Sequence, residues 1–342
     1  MTQPLRTFVD ICAGVGGLSR PLHRAGATCV LAVEMDRFAR MTYEANYGAV
    51  PWLHDVSAIH HPLDDVPDHD ILLAGFPCQP FSSAGLQGGL MDPRGTIIYD
   101  IVRILGAKRP RAFLMENVRN LLHHDKGRTF KTILTLLTDL GYNVQWREVN
   151  AASFVPQHRR RIFIVGQGPD RPILDIQSLH VPTSHVQMGG VGLILHTNEG
   201  TPNPHDRGRF YDDMTRRVHE HYYLSAALYP WLWSHKNKQK ARGGKESVNF
   251  IQANEMTATL TARDYKDGKE IILLDQVQQG FLIQSRPRKL TPRECFRLMG
   301  FDESFILPAK VSDTQLYKQA GNSVVPQCAA VFLNGLLAHY NP

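Results

Sequence analysis

Four short apolar runs, at residues 7–13, 28–33, 70–74 and 112–115, constrain this chain more than any other feature. Each is bounded by glycine, proline or charge, and most are followed by a stretch of helical spacing (residues 18–25, 37–47, 96–105 and 129–140). A strand buried on both faces is apolar without alternation, and strands separated by helices build a parallel sheet. In the last of the helical stretches Ile133, Leu136, Leu137 and Leu140 share one face, and Gly141 supplies a stop. Residues 143–149 and 161–165 then read as two further strands, an antiparallel edge. With a short strand ahead of Asp55 the pattern predicts a seven-stranded, doubly wound α/β sheet.

Beyond about residue 170 the pattern changes. Pro169, Pro172 and Pro182 punctuate the chain, and a polar Gly/His-rich stretch with weak periodicity runs to about residue 249. Short strands are expected at 257–261 and 270–274. Helical spacing resumes at 292–299, and an apolar helix follows at 327–337. The expected organisation is one large domain from residues 1–174 and 286–342, interrupted by a smaller, mostly irregular or β domain at 175–285. Hydrophobic residues make up 43% of the chain, enough for one large core or two modest ones. No apolar run approaches the roughly 18 residues of a membrane span, and the first residues lack a signal-peptide pattern, so a cytoplasmic protein is expected.

The five cysteines show no C-x-x-C spacing and no close pairing, which argues against a zinc site or a disulfide framework. Cys12 and Cys29 sit in apolar runs. Cys78 is different: a strand runs straight into Gly75-Phe76-Pro77-Cys78-Gln79-Pro80-Phe81-Ser82, which places a thiol between two prolines at the carboxyl edge of the sheet. A thiol acts as a nucleophile only when a cation or a helix N-terminus lowers its pKa. Arg159-Arg160-Arg161 lead into a strand, and alternation puts Arg159 and Arg161 on one side. The 112–115 strand delivers Glu116-Asn117-Val118 to the same edge. A thiolate and a glutamic acid facing one cleft suit conjugate addition to a pyrimidine, with the thiol adding at C6 while the acid engages N3.

A second constellation opens the chain. The strand at Phe8-Val9-Asp10-Ile11 runs into Gly14-Val15-Gly16-Gly17-Leu18 and a helix, and Glu34 ends the next strand twenty residues after Gly14. This is the layout of a nucleoside site, with Glu34 on a ribose and Asp55 near an adenine. A dinucleotide and S-adenosylmethionine both fit that layout. Ser19 stands where the third glycine of a pyrophosphate fingerprint belongs, which favours a cofactor without a pyrophosphate.

Together these segments closely resemble the C5-cytosine DNA methyltransferase family over nearly the whole chain. Asp10 to Gly17 is similar to the family's methionine loop, Gly75 to Ser82 to its nucleophile loop, and Glu116-Asn117-Val118 to its glutamate motif. Gln157-His158-Arg159-Arg160-Arg161 matches a Gln-x-Arg-x-Arg pattern. Residues 293–301 match the helix supporting a recognition domain, and Gln319-Ala320-Gly321-Asn322-Ser323-Val324-Val325-Pro326 match the C-terminal motif.

The resemblance implies a Rossmann-like S-adenosylmethionine-dependent methyltransferase sheet carrying a target-recognition domain at 175–285. It implies catalysis by Cys78, Glu116, Arg159 and Arg161 on a cytosine flipped out of duplex DNA. Cofactor contacts are implied for Phe8, Asp10, Gly14, Gly16, Gly17, Leu18, Glu34, Met35, Asp55, Val56, Pro77, Asn322, Ser323 and Val324. DNA contacts are expected from Gln79, Ser82 and Thr259. The same holds for Lys236, Lys238, Lys240, Arg242 and Lys245, a run of basic residues without an acid, interleaved with Trp231, Trp233 and His235. A solvated basic loop is the alternative for that run. S-adenosylmethionine is the expected cofactor, with S-adenosylhomocysteine as product and no metal. The expected partners are double-stranded DNA and, if the chain belongs to a restriction–modification pair, an endonuclease cutting the same site. The enzyme is expected to be a monomer in the bacterial cytoplasm. Three other readings compete: a tRNA cytosine methyltransferase on the same scaffold, a catalytically silent scaffold, and a nicotinamide-linked oxidoreductase.

Overall fold

The computed structural model describes residues 5–77, 97–169, 173–182, 189–195, 204–206, 208–212, 217–243, 249–263, 272–273, 276–278, 281–283 and 287–340. Its centre is a seven-stranded sheet of β1 (Thr7–Ile11), β2 (Thr28–Val33), β3 (Trp52–Leu53), β4 (Ile71–Ala74), β5 (Ala112–Val118), β6 (Asn143–Asn150) and β7 (Arg160–Gln167), in the order β3-β2-β1-β4-β5-β7-β6. Neighbours from β3 to β5 are parallel, and β7 runs antiparallel to both β5 and β6. The doubly wound α/β class read from the sequence is the fold observed. Every residue of β4 is buried, as are all but the first of β1, so their unbroken apolar runs are accounted for.

Between the strands lie α1 (Arg20–Arg24), α2 (Arg37–Tyr47), α3 (Pro62–Asp65), α4 (Ile97–Lys108) and α5 (Arg128–Asp139). Asp36 starts α2 by accepting from the Phe38 and Ala39 amides at 2.8 and 3.4 Å, a cap worth about 1 kcal/mol. Helices α4 and α5 bury Ile98, Ile101, Ile104, Ile133 and Leu137 against Leu72, Phe113 and Ile164 of one sheet face. On the other face Phe163 stacks on Phe332 at 4.9 Å, and Phe8 meets His23 of α1.

Strand β5 outlasts its apolar run because β7 pairs with it to the end: Glu116 faces Phe163, and Val118 faces Arg161. Glycine at 166 makes that pairing possible. A Cβ there would lie 2.0 Å from the Phe113 ring.

The chain divides into two compact units. The first comprises Met1–Asn150, Arg160–Pro182 and Val324–Pro342, and contains the sheet. The second comprises Ala151–Arg159 and Thr183–Ser323. Within it α6 (Leu228–Ala241) and the short strands β8 (Tyr211–Asp212), β9 (Arg217–Val218), β10 (Phe250–Ile251), β11 (Ile272–Leu273), β12 (Gln276–Gln278), β13 (Phe281–Ile283) and β14 (Arg288–Lys289) form small two- and three-stranded sheets around irregular chain. Two further helices, α7 (Pro292–Leu298) and α8 (Asp313–Asn322), pack in this unit. A Thr291–Glu294 capping box starts α7, Phe296 and Phe305 stack at 5.5 Å, and Arg293 forms a fully buried ion pair with Asp206. From the C-terminal segment the sheet unit takes the last helix, α9 (Pro326–Tyr340), whereas the sequence reading grouped all of residues 286–342 with the sheet.

Candidate active site

The parallel strands β1, β2, β4 and β5 end at one edge of the sheet, and the register aligns Ile11 with Val33 and Ala74, and Ala74 with Met115. The segments singled out in the sequence leave from this edge. After β1 the chain turns through Cys12 (φ 57), Gly14 (φ 55) and Gly16 (φ 79). Glu34 clamps the turn. One carboxylate oxygen accepts the Gly14 amide and the other the Asp36 amide, each at 2.8 Å. Burial raises the Glu34 pKa, and these two amide bonds oppose the rise.

Behind the turn lies a polar and aromatic cluster that the sequence reading did not find. Tyr47, at the end of α2, donates to the Gly16 carbonyl at 3.2 Å, and Arg20 donates to the Tyr47 hydroxyl. The Tyr47 ring stacks on His23 at 4.0 Å and 6°. A Cβ at position 16 would sit 2.3 Å from that ring, so the third residue of the loop must be glycine for packing as well as for its φ. His23 is held by the Tyr43 hydroxyl at 2.8 Å, and burial brings its pKa down to about 4, which keeps the imidazole neutral. Asp10 is buried beside Ser19. Desolvation drives its pKa up to about 7, against the Ser19 hydrogen bond and with help from Glu34, and its Oδ2 has no partner among the described residues. The only sequence hint of this cluster is the i, i+4 spacing of Tyr43 and Tyr47 on α2.

Among the described residues the chain leaves room beside the turn. A Cβ on Gly14 meets nothing within 4 Å, and one on Gly75 meets only the Cys12 carbonyl at 3.8 Å. Met35 is 70% exposed at the end of β2, and Asp55 accepts from the Ser57 amide at 3.0 Å, leading into a turn that buries Val56.

At the β4–β5 edge Asn117 is buried and donates to the Phe76 carbonyl at 3.2 Å, tying the end of β5 to the segment that leads to Cys78. Glu116 is buried and paired with Arg161, Nε to Oε1 3.0 Å. Arg160 points to the opposite face and pairs with Glu148 at 2.8 Å, as strand alternation requires. Pro77 is the last described residue of this segment. Cys78, Gln79, Ser82 and Lys245 lie outside the described residues.

The second unit holds the other candidates. Arg159 is buried and donates to the carbonyls of Leu260, Gly321 and Ser323 at 2.8, 3.0 and 2.7 Å, so it braces three backbone segments. Gln157 reaches the Leu298 carbonyl and accepts the Leu260 amide. Asn322, the last residue of α8, is exposed and Ser323 after it is buried, while Val324 is buried at the start of the sheet unit's last segment. Thr259 donates to the His158 carbonyl at 2.6 Å and lines an open cleft of about 620 Å³ with Asn249, Phe250, Ile251, Glu255 and Met256. The basic run at 231–245 proves to be largely helix: α6 carries Lys236, Lys238 and Lys240, and Arg242 closes it.

A family model described as C-5 cytosine-specific DNA methylase matches residues 6–336. The chain belongs to that family. It is an enzyme, a DNA (cytosine-5-)-methyltransferase, of a family whose methyl donor is S-adenosylmethionine. It is 42% identical over 328 residues to the Type II methyltransferase M1.ScrFI of Lactococcus lactis subsp. cremoris, covering 95% of this chain and 76% of the relative. It is 40% identical over 329 residues to the Type II methyltransferase M.NlaX of Neisseria lactamica, covering 95% and 94%. Among solved structures, the Entamoeba histolytica methyltransferase EhMeth superposes with a TM-score of 0.74 at 18% identity, covering 99% of this chain and 100% of that one. The S. pombe Dnmt2 methyltransferase superposes with a TM-score of 0.71 at 20% identity, covering 97% and 98%. These structural likenesses share the fold of the methyltransferase sheet.

Proposed function

We propose that this methyltransferase acts on a cytosine flipped out of duplex DNA, through a transient bond between Cys78 and carbon 6 of the base. The observation that carries the reading is the edge of β4 and β5, where Glu116 is fixed by Arg161 and Asn117 anchors Phe76, two residues before Cys78. In the stack C6 is out of reach of a side chain, so extrusion of the base is part of the reaction.

The chemistry assigns each group one task. The Cys78 thiolate forms the S–C6 bond, and the C5=C6 electron pair moves to C5. Glu116 supports that shift by donating to or protonating N3, and Arg161 holds its carboxyl group in the required orientation. S-adenosylmethionine, once bound, supplies an electrophilic methyl group. C5 would take that methyl as the donor's S–CH3 bond breaks to leave S-adenosylhomocysteine. Loss of the C5 proton to a base then re-forms the C5=C6 bond and breaks the C6–S bond, releasing the Cys78 thiolate. Phe8, Asp10, the Gly14–Leu18 turn, Glu34, Met35, Asp55, Val56 and Pro77 are the residues proposed to hold the donor, with Glu34 on the ribose and Asp55 on the adenine. Arg159 is a positioning residue, acting through the carbonyls of Leu260, Gly321 and Ser323.

The second unit, with Thr259 and the basic helix, is proposed to be the target-recognition domain. The names of the relatives, Type II methyltransferases, support a role beside a restriction endonuclease that cuts the same sequence. A monomer in the bacterial cytoplasm completes the proposal. The covalent step is testable with duplex DNA carrying 5-fluorocytosine, because fluorine is not lost as the C5 proton is. After methyl transfer the native chain should remain bound to this duplex through denaturation, and Cys78→Ser should not. A native chain that methylates ordinary DNA yet leaves no bound complex would overturn the mechanism.

A further inference from the structure

The recognition unit carries one helix whose two flanks do different work. Between Glu220 and Glu246 the sequence contains no acid, yet it contains Lys236, Lys238, Lys240, Arg242 and Lys245. Helix α6 occupies the middle of this stretch and buries only Leu232 fully. At 3.6 residues per turn its side chains sort into two stripes.

One stripe runs Tyr229, Trp233, Lys236 and Lys240. Its first three members close on Phe250: Tyr229 edge-on at 5.6 Å, Trp233 tilted at 5.2 Å, and the Lys236 ammonium over the ring at 5.4 Å. Lys236 is half-buried in this bracket, which fixes the helix to β10. Its charge serves the ring.

The other stripe runs Trp231, His235, Lys238 and Arg242, spaced i, i+4, i+7 and i+11, on the opposite flank. Trp231 is 55% exposed and stacks flat on His235 at 5.1 Å and 9°. Lys238 and Arg242 are exposed and form no ion pair with a described residue. Two cations a helical turn apart, beside an exposed indole whose N–H is a donor, match a row of phosphates. An aromatic pair held flat at the surface adds apolar contact to the sugars between them.

We infer that the Trp231–His235–Lys238–Arg242 stripe docks the phosphate backbone of duplex DNA, while the Tyr229–Trp233–Lys236 stripe only anchors the helix. The inference rests on the reading of this unit as the DNA-recognition domain and sorts the basic residues that the sequence left together. Phosphate contacts release counterions, so each cation adds about 0.9 to the slope of log affinity against log salt.

The test uses the full-length chain and a fluorescein-labelled duplex of mixed sequence, with anisotropy read across roughly 50 to 200 mM salt. Lys238→Gln with Arg242→Gln should lower the slope by about 2, and Lys238→Gln alone by about 1. Trp231→Ala should weaken binding about tenfold at one salt concentration and leave the slope in place. Lys240→Gln, on the anchoring flank, should leave the slope unchanged. An unchanged slope in the double variant overturns the proposal, and so does an equal drop for Lys240→Gln. Loss of binding to anionic phosphatidylglycerol vesicles, with duplex binding intact, would make the stripe a membrane contact and also overturn it. Methyl transfer to duplex DNA by the native chain is measured alongside. Transfer with an unchanged slope defeats the stripe alone, whereas no transfer to DNA defeats the reading beneath it.

Discussion

The glycine turn after β1 and helix α6 solve opposite problems. Around the turn nearly every polar group is already committed. Glu34 spends both oxygens on amides, Tyr47 holds the Gly16 carbonyl, and His23 stacks beneath it as a neutral ring. On α6 the cations of one flank stand in solvent with no carboxylate of a described residue against them. The turn is organised before its ligand arrives, so a small change there should move the reaction steeply. On the proposed reading the helix holds DNA by separate, salt-screened charges, so changes there should be graded.

Adjacent arginines on β7 sharpen that contrast most. Arg161→Gln removes the partner of buried Glu116 and should lower kcat on the order of 100-fold, with the KM values for DNA and donor changed little. Arg160→Gln breaks only an exposed pair with Glu148 and should change stability by less than about 1 kcal/mol, with kcat intact, in a urea titration and a turnover assay. Equal effects from the two would erase the distinction between the faces of β7.

Next in size is the turn itself. Tyr47→Phe keeps the ring on His23 and deletes the hydroxyl that binds Gly16. The donor KM and the dissociation constant of S-adenosylhomocysteine, measured by calorimetry, should rise about 3- to 10-fold. The kcat should stay within about twofold. A fall in kcat with an unchanged KM would show that the cluster acts on something other than the donor site.

The smallest effect is a change in the pH dependence of stability. Asp10 has a folded pKa pushed up to about 7 from 3.8, so the folded chain binds more protons than the unfolded one between those values. Its contribution to stability is full below about pH 4 and is lost as pH rises through 7. His23 runs the other way: its pKa falls from 6.5 to about 4, so stability is lost as pH falls through that window. The two slopes oppose each other in the native chain. Asp10→Asn should leave the His23 slope exposed, so that Tm rises more steeply from pH 4 to pH 7 than in the native chain. An identical Tm profile would contradict the buried ionisation.

Much of the fold was legible because its signals are local. The strands β1, β2, β4 and β5 announce themselves as apolar runs, and α2 begins and ends at the residues its Asp36 cap and Gly48 dictate. What stayed hidden depends on partners far along the chain. The end of β5 runs through the polar Glu116 and Asn117, which become strand only because β7 returns antiparallel beside them. Helix α6 has no apolar stripe of ordinary width and carries Pro230 in its first turn, where proline is tolerated, so its periodicity was weak. Arg159 reads from the sequence as a second catalytic cation, and its three carbonyl partners come from segments far along the chain. Likewise nothing local in the sequence ties Tyr47 to the glycine turn that lies against its ring. The glycine turn and the Glu116 edge were legible as motifs, and what holds them in shape was not.

The most direct measurement is bisulfite sequencing of DNA from cells expressing the native chain or Cys78→Ser. The account predicts cytosines protected from conversion in one short sequence context with the native chain, and full conversion with the variant. Protection that survives Cys78→Ser, or no protected context with the native chain, would contradict it.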